Sequence, residues 1–167
     1  MAHYVHNNIQ FKLDPPPVVQ TNVDFQLGPY ALSRFGFNIP VIANSIPLHR
    51  EAPNAKSKLV MAHFDTGAVI TCIDEKLADE LELLPIGVST IQTANGPKDV
   101  KQYVIDVSFP GTGLKGYCLS VNSCSLAYKP EFGNADPTNF ALLIGRDVMA
   151  HWNIVWNGPT STVIISD

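Results

Sequence analysis

The run Leu59-Val60-Met61-Ala62-His63-Phe64-Asp65-Thr66-Gly67-Ala68 decides how this chain is read. An apolar strand leads straight into a carboxylate, and a small hydroxyl residue and a glycine follow it. That order places Asp65 at a strand end, where Gly67 lets the backbone turn sharply and Thr66 can donate a side-chain hydrogen bond to a neighbouring chain. Taken alone, the same residues could be an ordinary turn in which Asp65 bonds its own backbone. His63, two residues earlier, reads as a packed side chain rather than a base.

A second element lies about eighty residues further on. There, Ala141-Leu142-Leu143-Ile144-Gly145-Arg146-Asp147 is an apolar strand ending in glycine, with a short helix expected over Arg146 to Trp152. The two elements together are far more specific than either alone. Phe64-Asp65-Thr66-Gly67-Ala68 followed at this distance by Leu143-Ile144-Gly145-Arg146-Asp147 resembles the retropepsin family, the single-domain aspartic proteases of retroviral type. The stretch His151 to Pro159, followed by Val163-Ile164-Ile165, resembles the family's closing hairpin. The resemblance covers about Asn38 to Asp167.

The resemblance implies a role for particular residues. Asp65 matches the catalytic aspartate, Thr66 the residue that locks two active-site loops together, and Gly67 the turn position. Ala68 matches the position that distinguishes retroviral-type members from pepsin-like ones, which often carry Ser, and near the cleft it is expected to favour apolar side chains flanking the cut. Thr90 to Val100 would be the flap, with Ala94, Asn95 and Gly96 at its tip and in reach of substrate. Ile144-Gly145 matches the element packed under the active-site loop, with Ile144 also expected to favour apolar side chains flanking the cut.

Retroviral members place acidic residues after the alanine, one of which pairs with the arginine of the second element. Val69 and Ile70 stand there in this chain, so Arg146 is expected to turn to Asp74 or Asp147.

Aspartic protease chemistry needs two neighbouring carboxylates, yet no other aspartate in the chain begins an Asp-Thr-Gly or Asp-Ser-Gly. The expectation is therefore a homodimer with one Asp65 from each chain, acting on a peptide or protein held in an extended conformation. No metal and no other cofactor is implied. The alternative is a catalytically silent or latent dimerisation or peptide-binding module of the same fold. A cysteine protease reading lacks a Cys/His pattern, and no G-x-S-x-G elbow points to a serine hydrolase.

The rest of the chain fits one domain. Its 167 residues suit one globular unit. With 46% hydrophobic and only 16% charged residues it can bury a real core, which excludes a disordered segment. A net charge of −4 without basic runs argues against a nucleic-acid or anionic-membrane partner. No apolar stretch reaches the ~18 residues of a membrane span and no signal-like leader is visible, so the expected compartment is cytoplasmic.

Residues 1–37, with Pro15-Pro16-Pro17, read as an extended arm or leader, and 38–167 as the protease-like domain. From Asn38 onward, short apolar runs separated by Gly, Pro and Asn predict an all-β barrel or sandwich. The family resemblance narrows this to a closed, barrel-like acid-protease half with one or two short helices and a flap hairpin.

Ile73, Leu77, Leu81 and Leu84 recur at helical steps, capped by Asp74 and stopped by Pro85 and Gly87. Val88 to Phe109 reads as a hairpin turning at Asn95-Gly96, with Tyr103, Ile105, Val107 and Phe109 on one face. Asn122 to Thr138 reads as a long surface loop. Cys72, Cys118 and Cys124 read as small core residues, and Trp152 and Trp156 as core or dimer-interface aromatics.

Overall fold

The structure is a computed structural model and describes residues 9–12, 32–33, 36–46, 55–93, 96–132, 136, 138–157 and 162–166. The apolar runs become strands: β1 Ile9–Lys12, β2 Asn38–Ser45, β3 Ser57–Phe64, β4 Cys72–Asp74, β5 Gly87–Thr93, β6 Gly96–Ser108, β7 Tyr117–Cys124, β8 Phe140–Ile144, β9 Asn153–Asn157 and β10 Thr162–Ser166. Two short helices, α1 Glu75–Glu80 and α2 Arg146–Met149, and a 3-10 turn at Pro130–Phe132 interrupt them.

Strands β2-β3-β8-β4-β7-β6 pair in that order, and a further pairing of β2 with β6 closes them into a ring. Closure leaves no open edge on the ring. The expected all-β, barrel-like fold is what the pairing produces. Among the described residues β5 pairs only with β6, along Gly96 to Gln102, while Gln102 to Ser108 of β6 pair with β7 and β2, so β5 is not a strand of the ring. β1, β10 and β9 form a separate three-stranded sheet in which Ile9 lies opposite Ile165.

Alternation explains the core. On β6, Tyr103, Ile105 and Val107 are buried and their neighbours face outward, and Phe109 continues the buried face. Ile39, Val41, Val60, Ala62, Val121, Leu142 and Ile144 meet them inside the ring. Leu32 and Phe37 are also buried in this core. Trp152 closes one end, packing on Phe64 and Phe109 while its indole N–H donates to the Tyr117 hydroxyl at 2.9 Å. Trp156 is exposed on β9.

The structure corrects several expectations. The helix does not run from Asp74 to Leu84. Ile73 belongs to β4, opposite Ser123 and Leu142, so the apolar period is shared between a strand and a helix that bury the same side. Asp74 does cap α1, accepting from the Lys76 N–H at 2.9 Å. The far end closes before Pro85: Leu83 N–H bonds Ala78 C=O and Glu82 N–H bonds Asp79 C=O, a Schellman arrangement. Its left-handed position is Glu82, at φ 52, instead of the usual glycine, which removes the sequence signal.

The expected surface loop starts later than Asn122. Asn122 and Ser123 are buried in β7 because β4 pairs with them. In the hairpin, Gly96 already belongs to β6 and lies opposite Thr93, so it is not a turn residue. Ala94 and Asn95 lie outside the described residues. Among the cysteines, Cys118 is exposed and the other two are partly buried, so Cys118 is not a core residue. Among the described residues, no helix is long and apolar enough to cross a membrane.

Candidate active site

β3 and β8 run parallel, with Phe64 opposite Ile144, so their C-terminal ends reach the same end of the barrel. This pairing brings Asp65 beside Gly145, Arg146 and Asp147. β8 also pairs with β4 on its other side, so the loop of residues 65–71 must cross over the end of β8. The crossing is close. A Cβ on Gly145 would lie 2.7 Å from the Ile70 carbonyl carbon, so only glycine fits there.

Hydrogen bonds stitch the two segments together. Asp65 N–H donates to Ile144 C=O at 3.1 Å, Arg146 N–H to Ala68 C=O at 3.0 Å, and Asp147 N–H to Val69 C=O at 3.2 Å. Thr71 sits beneath, with no exposed surface. Its hydroxyl donates to Asp147 Oδ1 at 2.8 Å and accepts the Gly145 N–H at 3.1 Å. Asp147 also takes the Thr71 N–H at 2.9 Å and the Val148 N–H at 3.0 Å.

Asp65 itself is partly exposed at the mouth of this framework. Its Oδ1 accepts the Gly67 N–H at 2.7 Å. Thr66 and Gly67 are exposed, Ala68 is half-buried, and Val69 and Ile70 present apolar surface beside them. This is a partly exposed carboxylate held by a main-chain donor, an arrangement suited to activating water or orienting a carbonyl.

Two expectations about this site change. Arg146 pairs with neither Asp74 nor Asp147; its Nη1 donates to Thr66 C=O at 2.8 Å. Both carboxylates already serve backbone donors, Asp74 taking the N–H groups of Lys76, Leu126 and Tyr128. Ile144 is wholly buried, so its side chain supports the loop from below and does not line a cleft in this chain.

His63 packs as expected. It stacks on Phe140 with ring centroids 4.8 Å apart, and its Nδ1 lies 2.7 Å from Asn38 Oδ1. Burial pushes the imidazole below its ordinary pKa, against the upward pull of Asp65. Cys72 and Cys124 are free thiols, Cys72 Sγ donating to Ile70 C=O at 3.6 Å and Cys124 Sγ to Ile73 C=O at 3.7 Å. The influence of the neighbouring Cys124 thiol holds Cys72 below its usual value, although burial and the Asp147 and Asp65 carboxylates oppose this. Cys72, with burial, in turn pushes Cys124 up.

Thr71 and the anchoring role of Asp147 escape a motif reading. One signal was available: a hydroxyl inside the apolar run Val69-Ile70-Thr71-Cys72-Ile73 needs a buried partner.

The flap segment lies on β5 and β6. Near its tip Thr90 donates to Asp99 Oδ1 at 2.6 Å and Thr93 to Gly96 C=O at 2.8 Å. Gly96 adopts φ 103, a conformation that favours glycine.

A family profile described as aspartyl protease matches residues 54–148, more than half of the chain. Among solved structures, a foamy viral protease-reverse transcriptase in complex with an RNA/DNA hybrid is similar at 20% identity and a TM-score of 0.41. That match covers 70% of this chain and 12% of the other. The simian foamy virus (mac) protease is similar at 20% identity and a TM-score of 0.36, covering 65% of this chain and 88% of the other. No curated protein sequence matches.

Proposed function

The chain belongs to the aspartyl protease family, and we propose that it is a homodimeric aspartic endopeptidase whose dyad is one Asp65 from each chain. The observation that carries this reading is the partly exposed Asp65 carboxylate, held by the Gly67 N–H and braced by the Gly145-Arg146-Asp147 segment. One chain offers one such carboxylate. A two-fold axis would place its copy alongside, and two carboxylates about 3 Å apart share a single proton because both cannot ionise at that distance. The ionised member takes a proton from water as it attacks the scissile amide carbon. The protonated member donates to the carbonyl oxygen.

Thr66, exposed beside Asp65, faces the two-fold axis and locks the two loops. Val69 and Ile70, and Ile154, Val155 and Trp156 on edge strand β9, provide exposed apolar surface that a second chain would cover. The substrate binds extended, adding main-chain hydrogen bonds. Ala68 lies beneath it, and the flap with Ala94, Asn95 and Gly96 lies above. Ile144 acts through the loop it supports. The domain spans residues 38–167, with residues 1–37 as an arm that adds Leu32 and Phe37 to the core and β1 to the β10–β9 sheet, and neither a metal nor another cofactor takes part.

The test is cleavage of a diverse peptide mixture, read by mass spectrometry from about pH 4 to 7, with wild type and Asp65→Asn at high protein concentration. Wild-type cuts that disappear in Asp65→Asn, by at least about a hundredfold, and that fall steeply on dilution, support the reading. A folded, dimeric wild type that makes no cuts overturns it in favour of a silent binding module.

A further inference from the structure

The Thr66–Gly67 peptide unit is held at both ends. Its carbonyl accepts Arg146 Nη1 at 2.8 Å, and its N–H donates to Asp65 Oδ1 at 2.7 Å. A peptide is planar, so fixing the direction of its C=O also fixes the direction of its N–H. Arg146 is itself anchored by its own backbone N–H, which bonds Ala68 C=O at 3.0 Å. The first residue of α2 therefore straps the loop at Thr66 and at Ala68, with Gly67 between the two straps.

Gly67 makes such a strap useful. A glycine peptide rotates more freely than any other, and a flip of this unit would turn the N–H away from the carboxylate. A Cβ at Gly67 would lie 3.0 Å from Asp65 Oδ1, so the crowding that could lock the loop by side-chain bulk is not available. A cation on the carbonyl also polarises the peptide and makes its N–H a stronger donor. Val69 and Ile70 put no acidic partner for this guanidinium after Ala68, and among the described residues Arg146 is in no ion pair.

We propose that Arg146 is a positioning residue for Asp65, acting through the Thr66–Gly67 peptide by keeping the Gly67 N–H aimed at Oδ1. The inference rests on reading Asp65 as the catalytic carboxylate. What it adds is which side chain sets that carboxylate's orientation.

The experiment uses the full chain, labelled with 15N, as wild type, Arg146→Met and Arg146→Lys. The Gly67 amide proton shift and its hydrogen exchange are measured first, with thermal melting as a control. In Arg146→Met the Gly67 amide proton moves upfield and exchanges about tenfold faster, the size of one modest hydrogen bond. Arg146→Lys, which keeps a cationic donor, recovers part of both effects. In peptide cleavage, kcat falls about tenfold in Arg146→Met while KM stays within error, because the change acts on Asp65 and not on substrate binding.

A Gly67 amide that is unmoved in both variants overturns the proposal, whatever the activity. So does a shift in which Arg146→Lys matches Arg146→Met and both follow a drop in melting temperature, since that is a purely structural role. If the wild type does not cleave, the catalytic reading falls separately, and the Gly67 amide still decides the strap.

Discussion

Thr71 and Thr90 each donate a hydroxyl to an aspartate, at 2.8 Å to Asp147 and at 2.6 Å to Asp99, yet the two bonds belong to different kinds of region. Thr71 is fully buried and joins segments 76 residues apart in sequence, under the loop that carries Asp65. Thr90 is exposed and joins positions nine residues apart across one hairpin. The first bond has its donor residue fully buried and its acceptor only partly exposed, so water has little access to it, whereas the second lies where water competes at all times. The active-site loop is thus set by long-range buried contacts, while the flap hairpin depends on local pairing. Under the proposed protease reading, the braced loop preorganises the carboxylate and the locally paired hairpin is the part that moves to admit substrate.

The largest effect should come from Gly145→Ala. The added Cβ meets Ile70 backbone at 2.7 Å, which cannot rotate aside. A loss of about 1–3 kcal/mol, as for overpacking in a tight interior, is expected in urea unfolding, and cleavage should disappear because the loop must shift. An unchanged urea midpoint would show that the crossing of residues 65–71 over β8 has room for a methyl group.

Thr71→Val keeps the shape but leaves the Gly145 N–H without its acceptor and takes from Asp147 one of its three donors. About 1–3 kcal/mol should be lost by the same measurement. Thr90→Val should cost less than about 0.5 kcal/mol. Equal losses at the two positions would break the contrast between loop and flap.

His63 gives a smaller, pH-dependent effect. Burial holds its folded pKa below the unfolded value. As pH falls below about 6.5, the unfolded chain takes up a proton that the folded chain resists, so stability declines from there down to the folded pKa. His63→Gln should flatten that slope in thermal melts between pH 7 and 5. A slope unchanged from wild type would assign it to other groups.

Some of this was legible in the residues themselves. Period-two burial on β6, the Asp74 cap and the glycine of Leu143-Ile144-Gly145 are local patterns, and each sits where its chemistry needs it. The end of α1 was not legible, because Glu82 takes a left-handed conformation usually given to glycine. Nor was β4, whose Ile73 fits a helical period as well as a strand. Its identity comes from Ser123 and Leu142 on either side. Nor is the partner of Arg146 legible, because a charge suggests an opposite charge, whereas in the fold its Nη1 donates to the Thr66 carbonyl.

By itself the sequence determined the strand-rich character, the carboxylate at the end of β3 and the family resemblance. These follow from residue type and short spacing, which act through local backbone preference and alternation. Only the tertiary structure decided that β3 and β8 lie parallel, that residues 65–71 cross the end of β8, and that Thr71, Arg146 and Asp147 brace the loop bearing Asp65. Those relations join positions about eighty residues apart. Strand register over such distances is set by how whole faces bury together, and no short window of sequence records it.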